Sequence, residues 1–107
     1  MYWWLQILVD DMKILTVVYS LGKGGTERAA QNFALAYKAL GHDSRLVFTR
    51  LDGPRKYNLQ REDVPVSSLL DQADIDYLTD WEPEIVHLHS HGLTTAEVTK
   101  VKLISGQ

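Results

Sequence analysis

The order of apolar runs, glycine turns and amphipathic stretches along this chain predicts an α/β protein, a doubly wound parallel sheet with flanking helices. Three observations carry that expectation. Ile14 to Tyr19 is an apolar, β-branched run with little alternation, the pattern of a parallel strand covered on both faces. A glycine cluster, Gly22-Lys23-Gly24-Gly25, follows it and opens directly into a stretch of helical periodicity. Strand-like and helix-like stretches then alternate to the end of the chain, the order that builds βαβ units.

The first helix is expected to take Thr26 as its N-cap, with Glu27 in the first turn where the helix dipole favours an acid. Ala30, Phe33, Ala34, Tyr37 and Leu40 fall on one apolar stripe, and Gly41 stands where a helix-ending glycine belongs. Arg45 to Thr49 reads as the second strand, reached by a right-handed crossover. Asp52-Gly53-Pro54 is a turn, and the polar stretch Arg55 to Asp63 reads as loop. Val64-Pro65-Val66 is a short third strand, which Pro65 confines to an edge or a strand end. Leu69 to Trp81 reads as a helix on Leu70, Ala73 or Asp74, Tyr77, Leu78 and Trp81, stopped by Pro83. Ile85 to Leu88 is the fourth strand and Gly92 starts the next turn. Thr94 or Thr95 caps a last helix ending near Ile104. The sheet is expected to be incomplete, because Gln107 comes where a further strand is due.

Composition narrows the function classes. A hydrophobic fraction of 45% and a mean hydropathy of −0.18 suit a globular domain. A net charge of −3 with a pI near 5.7 argues against a nucleic-acid partner. With no cysteine there is no disulfide, thiolate nucleophile or zinc–thiolate site. Residues 1–11 read as an N-terminal extension ahead of a domain over 12–107. Their apolar run, Tyr2 to Val9, is shorter than the roughly 20 residues that cross a bilayer and lacks signal-peptide features. An interfacial anchor on Trp3 and Trp4 is the alternative reading.

The glycine cluster places backbone N–H groups at a helix N-terminus beyond the carboxyl end of a strand, where an anion is well received. It is not a GxxxxGK[ST] phosphate loop. Nor is it a dinucleotide fingerprint, since Glu27 stands at the third glycine position and no acid ends the second strand near Thr49. A phosphate- or sugar-binding loop remains, with Gly22, Gly24 and Gly25 as its backbone and Arg28 either a solvated charge or the partner of a held anion. His87, His89 and His91 alternate along and past the fourth strand. A metal is not expected, since no further ligand lies close in sequence. His87 reads as a core or supporting residue. His89 reads as a hydrogen-bonding partner for a hydroxyl-rich or phosphorylated ligand. Asp74, Asp76, Asp80, Glu82 and Glu84 read as a solvated helix face and its exit.

Two segments carry a resemblance to a known family. Ser20 to Arg28 with Leu40-Gly41-His42, and Glu82 to His89 (EPEIVHLH), are similar to the N-terminal motifs of family-4, retaining, GT-B-fold glycosyltransferases. The likeness covers roughly Met12 to Thr99. It implies a Rossmann-like, acceptor-side domain whose cleft is lined by Gly24 and Gly25, with His89 facing the transferring sugar and His91 as the alternative. It implies a nucleotide-sugar donor, a glycan or lipid-linked acceptor, no metal or other cofactor, and a cytoplasmic setting with optional peripheral contact at the inner face of the membrane. The family's C-terminal donor-binding domain and its Glu-x7-Glu motif are absent from this sequence, so the chain is expected to be inactive alone. A reading from another class is a non-catalytic α/β module that binds a phosphorylated or sugar ligand.

Overall fold

The structure, a computed structural model, describes residues 11–106; the N-terminal extension with Trp3 and Trp4 therefore lies outside the described residues. Eight elements follow in order: β1 (Lys13–Ser20), α1 (Gly25–Ala39), β2 (Asp43–Leu51), α2 (Arg55–Arg61), β3 (Val66–Ser68), α3 (Gln72–Trp81), β4 (Ile85–Leu88) and α4 (Thr95–Ile104). The four strands form one all-parallel sheet in the order β3-β2-β1-β4. Covered by helices on both faces, it is the doubly wound, Rossmann-like arrangement that the element order predicts.

The unbroken apolar run of β1 explains the two layers, because consecutive side chains of a strand point to opposite faces. Val18 joins Leu46 and Phe48 of β2, Ala30 and Ala34 of α1 and Leu59 of α2 in one core. Leu15 and Val17 join Val47, Leu78 and Trp81 of α3 and Val101 and Ile104 of α4 in the other. Thus α1 and α2 cover one face, and α3 and α4 cover the opposite one.

Several local expectations are corrected. Gly24, in extended conformation, is the N-cap of α1, and Thr26 already lies inside the helix. The apolar stripe of α1 splits. Ala30 and Ala34 are buried because a helix lying close on a sheet has room only for small side chains there, whereas Phe33 is 47% and Leu40 71% exposed. Gly41 ends the helix with φ +94, as expected. The polar stretch 55–63 is largely helical, as α2. Pro54 begins that helix and the single buried Leu59 pins it, a signal too short for periodicity to reveal.

The third strand is Val66–Ser68, two residues later than Val64 to Val66. Val64 instead bonds through its N–H to the Leu59 carbonyl at 3.0 Å and fills the core. The strand does lie at a sheet edge. Helix α3 starts at Gln72, because Asp71 accepts from the Ala73 N–H at 2.9 Å as its cap, and Leu70 is left 71% exposed. Of the acids expected on a solvated face and exit, Asp74 is half-buried and accepts from the Ser68 N–H at 2.8 Å, whereas Glu84, past the helix, is exposed and accepts from the Lys13 N–H at 3.0 Å.

Two expected outcomes follow from this packing. A Cβ at Gly53 would stand 2.2 Å from the carbonyl oxygen of Leu21, a backbone atom with no freedom to move aside. Gly53→Ala is therefore expected to destabilise the fold by about 2 kcal/mol, read from urea denaturation. Among the described residues β4 pairs only with β1, so its outer edge is open, and Ile85 beside it is 42% exposed. The chain is expected to associate as its concentration rises and Ile85→Lys to weaken that association, measured by sedimentation velocity.

Candidate functional site

Strand order reverses between β1 and β4. From β1 the chain winds outward through α1 on one face; from β4 it leaves through α4 on the other. The loops beyond the carboxyl ends of these neighbouring strands therefore diverge and leave a crevice, the usual ligand position in open α/β sheets. The glycine cluster leads from β1 and the histidine segment from β4. Topology thus brings to one rim the candidates Gly22, Gly24, Gly25, Arg28, His89 and His91, which are separated by more than sixty residues in sequence.

The glycine loop is held from both sides. The Gly22 N–H donates to Ser20 Oγ at 3.0 Å. The Gly22 carbonyl accepts from Arg55 Nε at 2.8 Å, so α2 braces the loop through a residue the sequence did not mark. Glu27 is the larger surprise. It is only 5% exposed, and its carboxylate folds back towards the loop. A Cβ on Gly24 would stand 2.6 Å from Glu27 Oε1, and one on Gly22 would stand 3.3 Å from Oε2. Gly24 has no unusual backbone angle, and its missing Cβ leaves the space into which the Glu27 carboxylate turns. The expected open anion seat at the head of α1 is shared with the helix's own acid. Gly25 has nothing near its Cβ position. Arg28 is exposed and makes no ion pair among the described residues, while its N–H donates to the Gly24 carbonyl at 3.0 Å as the first helical bond.

His87 and His89 share one face of β4, and α1 lays Phe33 and Tyr37 against them. Tyr37 Oη lies 2.6 Å from His87 Nδ1, and the Phe33 ring stands edge-on to His87 at 4.9 Å. These contacts hold His87, half-buried in β4, against α1. His89 lies 4.4 Å from His87 and 5.7 Å from Phe33, ring centre to ring centre. Its Nε2 is buried and has no hydrogen-bond partner among the described residues. Burial, and next the neighbouring His87, lower its pKa below the ordinary 6.5, so the ring is neutral at pH 7 with one donor and one acceptor nitrogen.

His91 stands exposed at the rim, 6.4 Å from Tyr19 and steeply inclined to it. Tyr19 is pinned from two directions. Arg50 lies over its ring at 5.3 Å, and Gly92, at φ +84, comes so near that a Cβ would be 2.8 Å from the ring. Arg50 in turn pairs with Glu97 of α4 at 3.1 Å. Sequence reasoning missed Tyr19, Arg50 and Glu97, because nothing local marks three side chains from separate elements as neighbours. Among the described residues no group of three metal-ligating side chains occurs. A groove of about 210 Å³ between β4 and α4, lined by Val86, Leu88, Val98 and Val101, lies on the opposite face of β4 from His87 and His89.

Compared with family models, with curated proteins and with solved structures, the chain has no match in any of the three.

The His89 environment makes a pH prediction. Unfolding exposes the ring, which then binds a proton more readily than in the folded chain. Stability from this residue is present above the unfolded pKa of about 6.5 and is lost as the pH falls below it. The melting temperature is expected to decline from pH 6.5 downwards, and His89→Gln to flatten that slope, with the His89 ring resonances titrating below 6.5 by NMR.

Proposed function

We propose that this chain is the acceptor-side, N-terminal part of a GT-B glycosyltransferase, moving a sugar from a nucleotide-sugar to a glycan or lipid-linked acceptor and inactive without its donor-binding domain. The observation that supports this reading best is the buried, unpartnered Nε2 of a neutral His89, set at the switch-point rim beside the glycine loop. A polar atom withdrawn from water without a partner is costly, and a sugar hydroxyl brought into the crevice would relieve that cost.

In this reading His89 is the catalytic-site residue, holding a hydroxyl of the transferring sugar through a neutral ring that both donates and accepts. His87, tied to Tyr37, fixes its neighbour's surroundings. The backbone at Gly22, Gly24 and Gly25 lines the near wall, and Arg28 and His91 stand at the mouth. The leaving diphosphate develops charge that needs preorganised positive groups. The buried acid behind this rim is Glu27, so those groups are assigned to the second domain. Among the described residues no helix is long and apolar enough to cross a membrane. A cytoplasmic site of action with peripheral membrane contact is part of the proposal, since it would bring the crevice to a lipid-linked acceptor.

The test is a transfer assay over a set of nucleotide-sugar donors and glycan acceptors. No turnover is expected from the 107-residue chain alone. Transfer is expected once a donor-binding domain with a Glu-x7-Glu motif, encoded next to it, is supplied. His89→Ala should then lower kcat by about 100-fold, the scale of losing one transition-state hydrogen bond. Turnover by the chain alone, or an undiminished His89→Ala rate, would overturn the assignment. Ligand binding without any transfer would favour the non-catalytic module.

A further inference from the structure

We propose that residues Tyr2–Ile7 of this chain lie along the open edge of its own β4 as an antiparallel fifth strand, seating a tryptophan in the groove between β4 and α4.

The edge calls for an occupant that is apolar on two faces. Glu84 donates its N–H to the Lys13 carbonyl at 2.9 Å, and in a parallel pair the bonds to one neighbour come from alternate residues. The N–H groups of Ile85 and His87 therefore point away from β1, to a side where no strand lies among the described residues. On the α1 side of this edge Ile85 is 42% and Phe33 47% exposed. On the α4 side runs the groove lined by Val86, Leu88, Val98 and Val101. A strand laid here meets apolar surface on both sides, so it is apolar at odd and at even positions alike.

The ten residues that precede Asp11 in the sequence supply such a stretch. Trp3, Leu5 and Ile7 fall on one face of an extended Tyr2–Ile7, and Tyr2, Trp4 and Gln6 on the other. Aromatic side chains of this kind favour strands. The groove of about 210 Å³ exceeds the roughly 150 Å³ cavity that admits benzene, so it has room for an aromatic ring, Trp3 or Trp4 according to register.

The chain also arrives at the right corner. Lys13 donates its N–H to Glu84 Oε1 at 3.0 Å, which ties the foot of β1 to the foot of β4. The outer edge of β4 lies two strand spacings from β1, about 10 Å away. Three extended residues span about 10 Å, so Leu8-Val9-Asp10 suffice for the crossing. Tyr2 to Ile7 then run opposite to β4, with Ile7 nearest its foot. A segment tethered this closely acts at an effective concentration of about millimolar. It holds the edge in dilute solution, and a second copy displaces it only as the protein concentration rises.

The experiment follows amide hydrogen exchange by NMR, first in dilute solution and then where sedimentation velocity detects association. In the unaltered chain the Ile85 and His87 amides are expected to be protected already in dilute solution. The double variant Trp3→Ser with Trp4→Ser, altered outside the two cores, should lose at least about tenfold of that protection. Its association should set in at about tenfold lower concentration, since the edge is vacated; tenfold is the scale of withdrawing one large apolar side chain. Unprotected Ile85 and His87 amides in the dilute unaltered chain, or exchange unchanged in the double variant, would overturn the proposal. Protection that appears only as the concentration rises would overturn it too and give the edge to a second copy. If the double variant does not fold, exchange in the unaltered chain at the two concentrations decides the matter.

Discussion

Every layer of this protein is anchored on β1, a strand paired with β2 on one side and β4 on the other and covered by helices on both faces. Leu15, Val17 and Val18 are completely removed from water. Each contributes on the order of 1.5–3 kcal/mol relative to exposure, divided between two separate cores. Within the enclosed stretch from Ile14 to Val18 only Thr16 is polar, and it too is fully buried. The chemistry is pushed to the carboxyl end, where Ser20 braces Gly22 and Tyr19 meets His91.

The rim is governed by a second constraint, the need of three helix N-termini to satisfy their free N–H groups. In α3 and α4 side chains of the helix's own sequence do this, Asp71 and the Thr94–Glu97 pair. In α1 the cap is a glycine, and the acid that would answer the first turn is withdrawn against the loop instead. That difference makes the head of α1 the distinctive place on the rim. Close by, α1 also supplies Phe33 and Tyr37, whose contact with His87 and His89 explains why the expected stripe of α1 is divided between two neighbours, the sheet and the strand β4.

Much of the architecture was legible because it is written in period and punctuation. The β1 run, the glycine that ends α1, the β4 limits and a threonine cap at Thr94 or Thr95, which the structure gives to Thr94, all depend on residues within a few positions of one another. The errors have physical causes. Helix α2 is held by one buried leucine, β3 is shifted because Val64 was drawn into the core, and the Leu70 end of α3 was replaced by the Asp71 cap. In the first two cases packing into the core outweighed local propensity, and in the third a local cap, Asp71 accepting from the Ala73 N–H, set the helix start.

The sequence by itself determined the α/β class, the glycine loop ahead of α1, and histidines at the end of β4, since alternation, helical spacing and turn residues are local properties of the chain. The tertiary structure alone decided that the loop and His89 follow the carboxyl ends of neighbouring strands, that Arg55 braces Gly22, and that Glu27 lies buried near Gly24. These depend on strand order and on which way long side chains turn when helices close over the sheet. The residues concerned lie far apart along the chain, and only packing sets the distances between them.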